Sequence, residues 1–195
     1  AENCVAYSWI LTAVMAASPV CDSSFGEKGR IGGDLFQGLA TVRCSELGYW
    51  NFFAPILDYT SAAAYADSIQ SYIDSGMIRY PSELYYPIRL KNFGPYSLEG
   101  LKEGISHIEL RMVDLNPLVR SGIDERDVLF SQLFLVWAAS LPPANLTVKD
   151  QVQAVQNFKN AAHYDLKTVK IVMPDGTACS VVKAAKCIID AMEAF

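Results

Sequence analysis

Hydrophobic and polar residues change rhythm several times along these 195 residues, and each rhythm predicts an element. From Asn3 to about Ala17 the run "CVAYSWILTAVMAA" is apolar enough for a buried helix, stopped at Ser18-Pro19 because the residue before a proline is driven out of helical geometry. "LFQGLATVRCS" reads as a strand ending near Arg43. "TSAAAYADSIQSYIDSGM", from Thr60, has a hydroxyl start and a Gly76 stop, so it predicts a helix. "ELYYPIRLKNF" is strand-like, with Pro87 confining it to an edge or a bulge. A short polar helix is expected over Leu98 to Glu103, leading into "SHIELRM", another strand. From Asp124, "DERDVLFSQLFLVWAASL" predicts a helix capped by Asp124 with Asp127 at its third position. It is apolar on most sides and therefore expected to be central. "TVKDQVQAVQNFKNAA" is a more amphipathic helix. "TVKIVMPDGTACSVV" is a hairpin turning at Pro174-Asp175-Gly176, and a last helix runs from about Ala184 to the end. The order predicts an α+β fold, with helices packed against an antiparallel sheet of few strands.

Composition narrows the class. About half the residues are hydrophobic (51%) and 19% are charged, which excludes a disordered chain and allows a single domain with a substantial core. The net charge of −5 leaves no basic stripe for nucleic acid, and no basic cluster anchors the chain to a membrane. The apolar run before Cys21 resembles a secretion signal, but no basic residue precedes it and it is too short to cross a bilayer. Five cysteines (Cys4, Cys21, Cys44, Cys179, Cys187) are odd in number and lack C-x-x-C spacing. They read as reduced, buried thiols of a cytoplasmic protein rather than a disulfide or zinc framework. The absence of an initiator methionine predicts that residues 1–195 are a single-domain piece of a longer protein. The Gly- and Ser-rich stretch "CDSSFGEKGRIGGD", residues 21–34, is either a surface loop or a mobile lid over a site.

The charged positions pose the chemical question. In "HIELR", Ile108, Leu110 and Met112 alternate toward a core, while His107, Glu109 and Arg111 share the other face. Tyr85, Arg89 and Lys91 alternate likewise along "YYPIRLK". Arg43 ends the strand before "RCSELGY", with Tyr49 six residues on. A carboxylate on such a face needs a partner. One reading is a structural Glu–Arg ion pair on a wet face. The other is Glu109 as an oxygen ligand of a hard cation and Arg111 as a forked phosphate donor. Alternation does not separate them. His163 stands at a helix end, where a dipole contact suffices, and Asp114 and Asn116 are expected to fix the turn after the strand.

Several stretches, in order, resemble the bacterial glutamate–cysteine ligase family: "WILTAVMAASPVCDSSF", "ATVRCSELGYWN", "ELYYPIR", "SHIELRMVDLNP" and "GIDERDVLFSQLFLVWAA". The resemblance covers roughly residues 6 to 141. It implies a part of a glutamine synthetase-like catalytic fold, and an ATP-dependent ligation of glutamate to cysteine through γ-glutamyl phosphate. It also implies magnesium (or manganese) as cofactor and small molecules (glutamate, cysteine, ATP) as partners. By the family pattern Glu109 is a metal ligand and Arg111 binds the transferring phosphoryl group. Arg43 pairs with a substrate carboxylate, and Tyr49 and Tyr85 line the cysteine pocket. Arg89 is a further, weaker substrate-binding candidate, and Lys91 is as readily a solvated charge. His107 is expected to be a hydrogen-bonded residue behind the ligands. The family's Gly-x-Glu-x-Glu strand does not precede Arg43, so the isolated chain is expected to be inactive and to associate through surfaces left uncovered. Two other readings stand beside this one: a ligase of the same superfamily using another amine, and a non-catalytic protein that kept the fold.

Overall fold

Residues 1–25, 34–36 and 38–195 are described by the computed structural model of the chain, and among them are seven α-helices and six short strands. The first apolar run forms two helices, α1 (Glu2–Tyr7) and α2 (Trp9–Met15). The division falls at Ser8, whose hydroxyl donates to the Val5 carbonyl at 3.2 Å. Both helices bury their apolar residues; Trp9, Ile10 and Leu11 are at most 1% exposed. After Ala16 turns extended, the backbone N–H of Ala17 and the hydroxyl of Ser18 donate to Oδ2 of Asp114, at 2.9 and 2.7 Å. Asp114 is therefore a clamp across 97 residues of sequence rather than a fixture of its own turn. The local turn is held by Asn116 instead, whose side chain accepts from the Leu118 N–H.

Among the described residues the expected sheet is three separate two-stranded antiparallel ribbons. β1 (Val20–Asp22) pairs with β2 (Asp34–Phe36), so the ends of the 21–34 stretch are strands and not loop. The lid expected between them lies largely outside the described residues. The strand expected to reach Arg43 stops at Phe36. Leu39 bridges His163 and Thr41 bridges Ser18, and Arg43 itself sits in a tight turn. Gly48 makes that turn possible: a Cβ there would collide with the Arg43 carbonyl, so two backbone segments touch where only glycine fits.

α3 (Ala62–Asp74) is capped by Ser61, whose hydroxyl accepts from the Ala64 N–H, and the chain leaves it at Gly76 with φ +72°. It buries Tyr65, Ala66 and Ile69 and packs on α4 (Leu98–Glu103). Between them runs β3 (Ile88–Lys91), starting just after Pro87 and paired with β4 (His107–Leu110). In that register Arg89 faces Glu109 and Lys91 faces His107. β4 stops before Arg111, although the Arg111 N–H still donates to the Pro87 carbonyl at 3.0 Å and keeps the backbones alongside.

α5 (Glu125–Ser140) begins at the Asp124 cap as its sequence predicts, but it is not central. It buries Ser131, Phe134, Trp137 and Ala138, while Leu129, Leu133 and Val136 are 50%, 63% and 57% exposed. α6 (Val148–Asn160) opens with a reciprocal cap between Thr147 and Asp150. The hairpin of β5 (Lys170–Val172) and β6 (Ala178–Ser180) turns through Gly176 at φ +83°. α7 (Val181–Glu193) starts three residues ahead of Ala184 because the Ser180 hydroxyl accepts from the Lys183 N–H. Of the five cysteines, all free, only Cys4 and Cys44 are buried, and Cys187 is exposed on α7. Among the described residues no helix is long and apolar enough to cross a membrane.

Candidate active site

Antiparallel pairing of β3 with β4 puts Glu109 between two guanidinium groups. Oε2 of Glu109 lies 3.9 Å from Nη1 of Arg89, and Oε1 lies 3.9 Å from Nε of Arg111. These are ion-pair distances, too long for hydrogen bonds. Oε2 is buried and has no hydrogen-bond partner among the described residues. Each arginine also donates to backbone from one terminal nitrogen: Nη2 of Arg89 reaches the carbonyls of Ser82 and Leu84 at 3.0 and 2.8 Å. Nη1 of Arg111 reaches the same Leu84 carbonyl at 3.2 Å. Burial, and then the like charge of Arg89, shift the Arg111 guanidinium downward from its usual range. Arg89 is 7% exposed and lies under the ring of Tyr96, whose centroid is 5.4 Å away. Burial raises the Tyr96 hydroxyl above its ordinary pKa.

Arg111 joins this corner to a cavity. Its carbonyl accepts from Nη2 of Arg43 at 2.9 Å, and its guanidinium lies 5.9 Å from the Tyr85 ring centroid. Tyr49 stacks on Tyr85 with centroids 6.1 Å apart. These four residues line a cavity of about 430 Å³, completed on its apolar side by residues that include Val42, Trp50, Tyr86, Pro87 and Phe158. Its size falls in the range of small-molecule sites. The structure thus brings Arg43, Tyr49, Tyr85 and Arg111 to one cavity and sets Glu109 and Arg89 beside it, touching it through Arg111. Arg43 arrives there from a turn, not from a strand end.

The remaining candidates lie apart. Lys91 sits over Tyr96 at 4.3 Å, at the far end of β3. His107 is exposed, and its Nδ1 meets the Ser106 hydroxyl at 2.7 Å rather than any group of the cavity. His163 has more than a helix dipole: its Nε2 is 3.2 Å from Oε1 of Glu46. Sequence reasoning missed Trp50, Cys44, Phe158 and Tyr96. Only Trp50 carried a signal, through its place next to Tyr49 in the "LGYW" turn.

A metal ion has one prospective ligand in this arrangement. Among the described residues no group of three His, Cys, Asp or Glu converges. Yet the buried, unbonded Oε2 of Glu109 is the kind of hard oxygen that a magnesium ion takes, and magnesium commonly uses only one or two carboxylates, with waters and phosphate oxygens completing its shell. The residues fit one corner of such a site.

The sequence pattern described as glutamate–cysteine ligase matches residues 55–161. The chain belongs to the glutamate–cysteine ligase family. The glutathione biosynthesis bifunctional protein GshAB of Listeria monocytogenes (strain F2365) is 34% identical over 194 residues, covering 96% of this chain and 25% of that protein. The Streptococcus mutans counterpart is 30% identical over 198 residues, covering 100% and 24%. The crystal structure of a Francisella tularensis glutamate–cysteine ligase in complex with AMP superposes with a TM-score of 0.83 at 19% identity, over 99% of this chain and 46% of that one. A bifunctional glutathione synthetase from Pasteurella multocida gives a TM-score of 0.68 at 21% identity. The chain therefore spans about a quarter of the length of the curated relatives it matches. As a glutamate–cysteine ligase segment it carries Tyr85, Arg89, Glu109 and Arg111 inside the family match, while Arg43 and Tyr49 lie just before it.

Proposed function

We propose that these residues supply the phosphoryl-neutralising corner and the amino-acid acceptor pocket of an ATP-dependent glutamate–cysteine ligase, within a glutamine synthetase-like catalytic fold. The observation that carries the reading is the position of Arg111. It shares an ion pair with the half-buried Glu109 carboxylate on one side and lines the Arg43–Tyr49–Tyr85 cavity on the other. A γ-carboxylate oxygen of glutamate forms a bond to the terminal phosphorus of ATP, the bond to ADP breaks, and γ-glutamyl phosphate results. The amine of cysteine then bonds to the acyl carbon, loses a proton, and inorganic phosphate leaves. Such chemistry asks the protein mainly for position and charge. Arg111 would neutralise the transferring phosphoryl oxygens with its remaining donors. Arg43 would pair with the acceptor's α-carboxylate, and the hydroxyls of Tyr49 and Tyr85 would orient it. Glu109 would hold a magnesium or manganese ion, whose charge serves to polarise the phosphate oxygens. A cytoplasmic setting is part of the reading, supported by the five free cysteines. The test is phosphate release by the intact protein supplied with ATP, magnesium, glutamate and cysteine. Release that requires both amino acids is expected; release indifferent to either overturns the reading.

A further inference from the structure

The two arginines of the cavity come from separate stretches of chain, residues 41–44 and 111–114, and side-chain contacts join one stretch to the other. Nη2 of Arg43 donates to the Arg111 carbonyl at 2.9 Å, and Sγ of Cys44 donates to the Met112 carbonyl at 3.4 Å. Burial, and then the charge of Asp114, push the Cys44 thiol up to about 11, so it keeps the proton it donates. Asp114 makes the next contact through Ser18. Its Oδ2 accepts from the Ser18 hydroxyl at 2.7 Å and from the Ala17 N–H at 2.9 Å. Ser18 in turn belongs to the Arg43 side. Its carbonyl accepts from the Val42 N–H at 2.8 Å, its N–H donates to the Ala40 carbonyl at 3.2 Å, and its hydroxyl oxygen lies 3.2 Å from that of Thr41. Asp114 and Thr41 are both buried, so water competes little for these bonds. Ser18 lines the cavity, and Asp114 reaches the cavity through it.

We propose that Asp114 is a positioning residue of the ligation, holding the Arg43 turn against the Arg111 segment so that the Arg43 guanidinium meets the acceptor's α-carboxylate. The inference rests on the ligase reading and adds to it a residue that touches no substrate. Arg111 has restraints of its own. Its N–H donates to the Pro87 carbonyl, its Nη1 donates to the Leu84 carbonyl, and its Nε pairs with Glu109. The Arg43 turn is closed on itself by the Ser45 hydroxyl, which donates to the Val42 carbonyl at 2.7 Å. It is tied to the end of α6 where the Ala40 and Thr41 N–H groups donate to the Ala162 carbonyl. Toward Arg111 the turn relies on a weak thiol donor, on Arg43 itself and on the clamp at Asp114. The clamp is buried and charge-assisted, which makes it the firm one. Its loss therefore falls on Arg43 rather than on Arg111. A substrate-binding group displaced by about 1 Å can cost on the order of a hundredfold in rate. Because a single oxygen takes both bonds, an asparagine amide oxygen can replace it and an alanine cannot.

The experiment measures kcat and the separate KM values of the intact protein for ATP, glutamate and cysteine, well below the melting temperature of each variant. Asp114→Ala is expected to raise the cysteine KM about tenfold and to leave the ATP KM within about twofold, while Asp114→Asn recovers most of the loss. Arg43→Lys raises the cysteine KM by itself. Combined with Asp114→Ala it should cost less than the product of the two effects, because both act through one guanidinium. Should Asp114→Ala fail to fold by thermal melting, Ser18→Ala removes one arm of the clamp and carries the same expectation with a smaller shift. A carboxylate that only stabilises the fold would lower the melting temperature and leave the cysteine KM alone. That result in a folded variant, a shift confined to the ATP KM, or effects that simply multiply in the double variant overturns the inference and leaves the ligase reading standing. An unaltered protein whose phosphate release is indifferent to cysteine overturns the ligase reading, and the inference with it.

Discussion

Glu109 and Arg89 face each other across β3 and β4, yet the structure gives them different work. Oε2 of Glu109 forms no hydrogen bond among the described residues, so Glu109→Gln removes charge and little else. Turnover of the intact protein should fall by about 10²–10³, as when one charge-stabilising group is removed from a transition state. The melting temperature should stay close to the original. Near-normal turnover at ordinary magnesium would return Glu109 to a structural ion pair. Arg89, a weaker substrate-binding candidate by the family pattern, holds the Ser82 and Leu84 carbonyls with a buried guanidinium. We read it as a positioning residue, because the Leu84 carbonyl it fixes also receives Arg111. Arg89→Met should lower stability by about 2–3 kcal/mol, read as a drop in the urea midpoint, because it strips charge-assisted bonds from two backbone acceptors. A variant of unchanged midpoint would return Arg89 to the substrate-facing group.

Helix starts were legible because caps act within one turn. Ser61, Asp124 and Thr147 each accept from a backbone N–H two or three residues on, a range the sequence itself spans. The Asp124 cap also makes a pH prediction. The side chain and then the backbone N–H of Arg126 hold the Asp124 carboxyl down at about 2. A lowered folded-state pKa contributes stability that is fully present above the ordinary carboxylate value of about 4 and is lost as pH falls through the lowered one. Amide exchange at the first turn of α5 should therefore quicken between about pH 4 and about 2. Asp124→Asn, which caps without titrating, should lose that acid response. An Asn variant whose first turn loosens over the same interval would show that another group is responsible. Strand limits were less legible. β4 ends at Leu110, and the stretch toward Arg43 is a turn closed by the approach of Gly48 to the Arg43 carbonyl. Contact of backbone on backbone leaves no periodic trace in a hydrophobic pattern.

The whole molecule leaves an apolar stripe uncovered. Leu129, Leu133 and Val136 follow one another on α5 at helical spacing and stay mostly exposed, with Leu115 and Leu118 exposed nearby in sequence at 80% and 92%. Such a surface is a contact surface in waiting. Residues 1–195 prepared alone should associate with rising concentration in sedimentation velocity, and Leu133→Lys should weaken that association. A monomer throughout, with or without the substitution, would mean the stripe is simply tolerated. By itself the sequence determined the α+β composition, the helix caps, the Gly176 hairpin and the alternation of apolar and charged positions along β3 and β4, because each depends on neighbours within a few residues or on the fixed period of a strand. Only the tertiary structure decided that Asp114 would clamp Ala17 and Ser18, that Trp50 would stand against Phe158, and that one side of α5 would face water. Those outcomes depend on which distant surfaces meet, and a hydrophobic side chain carries the same local signature whether or not a partner arrives to cover it.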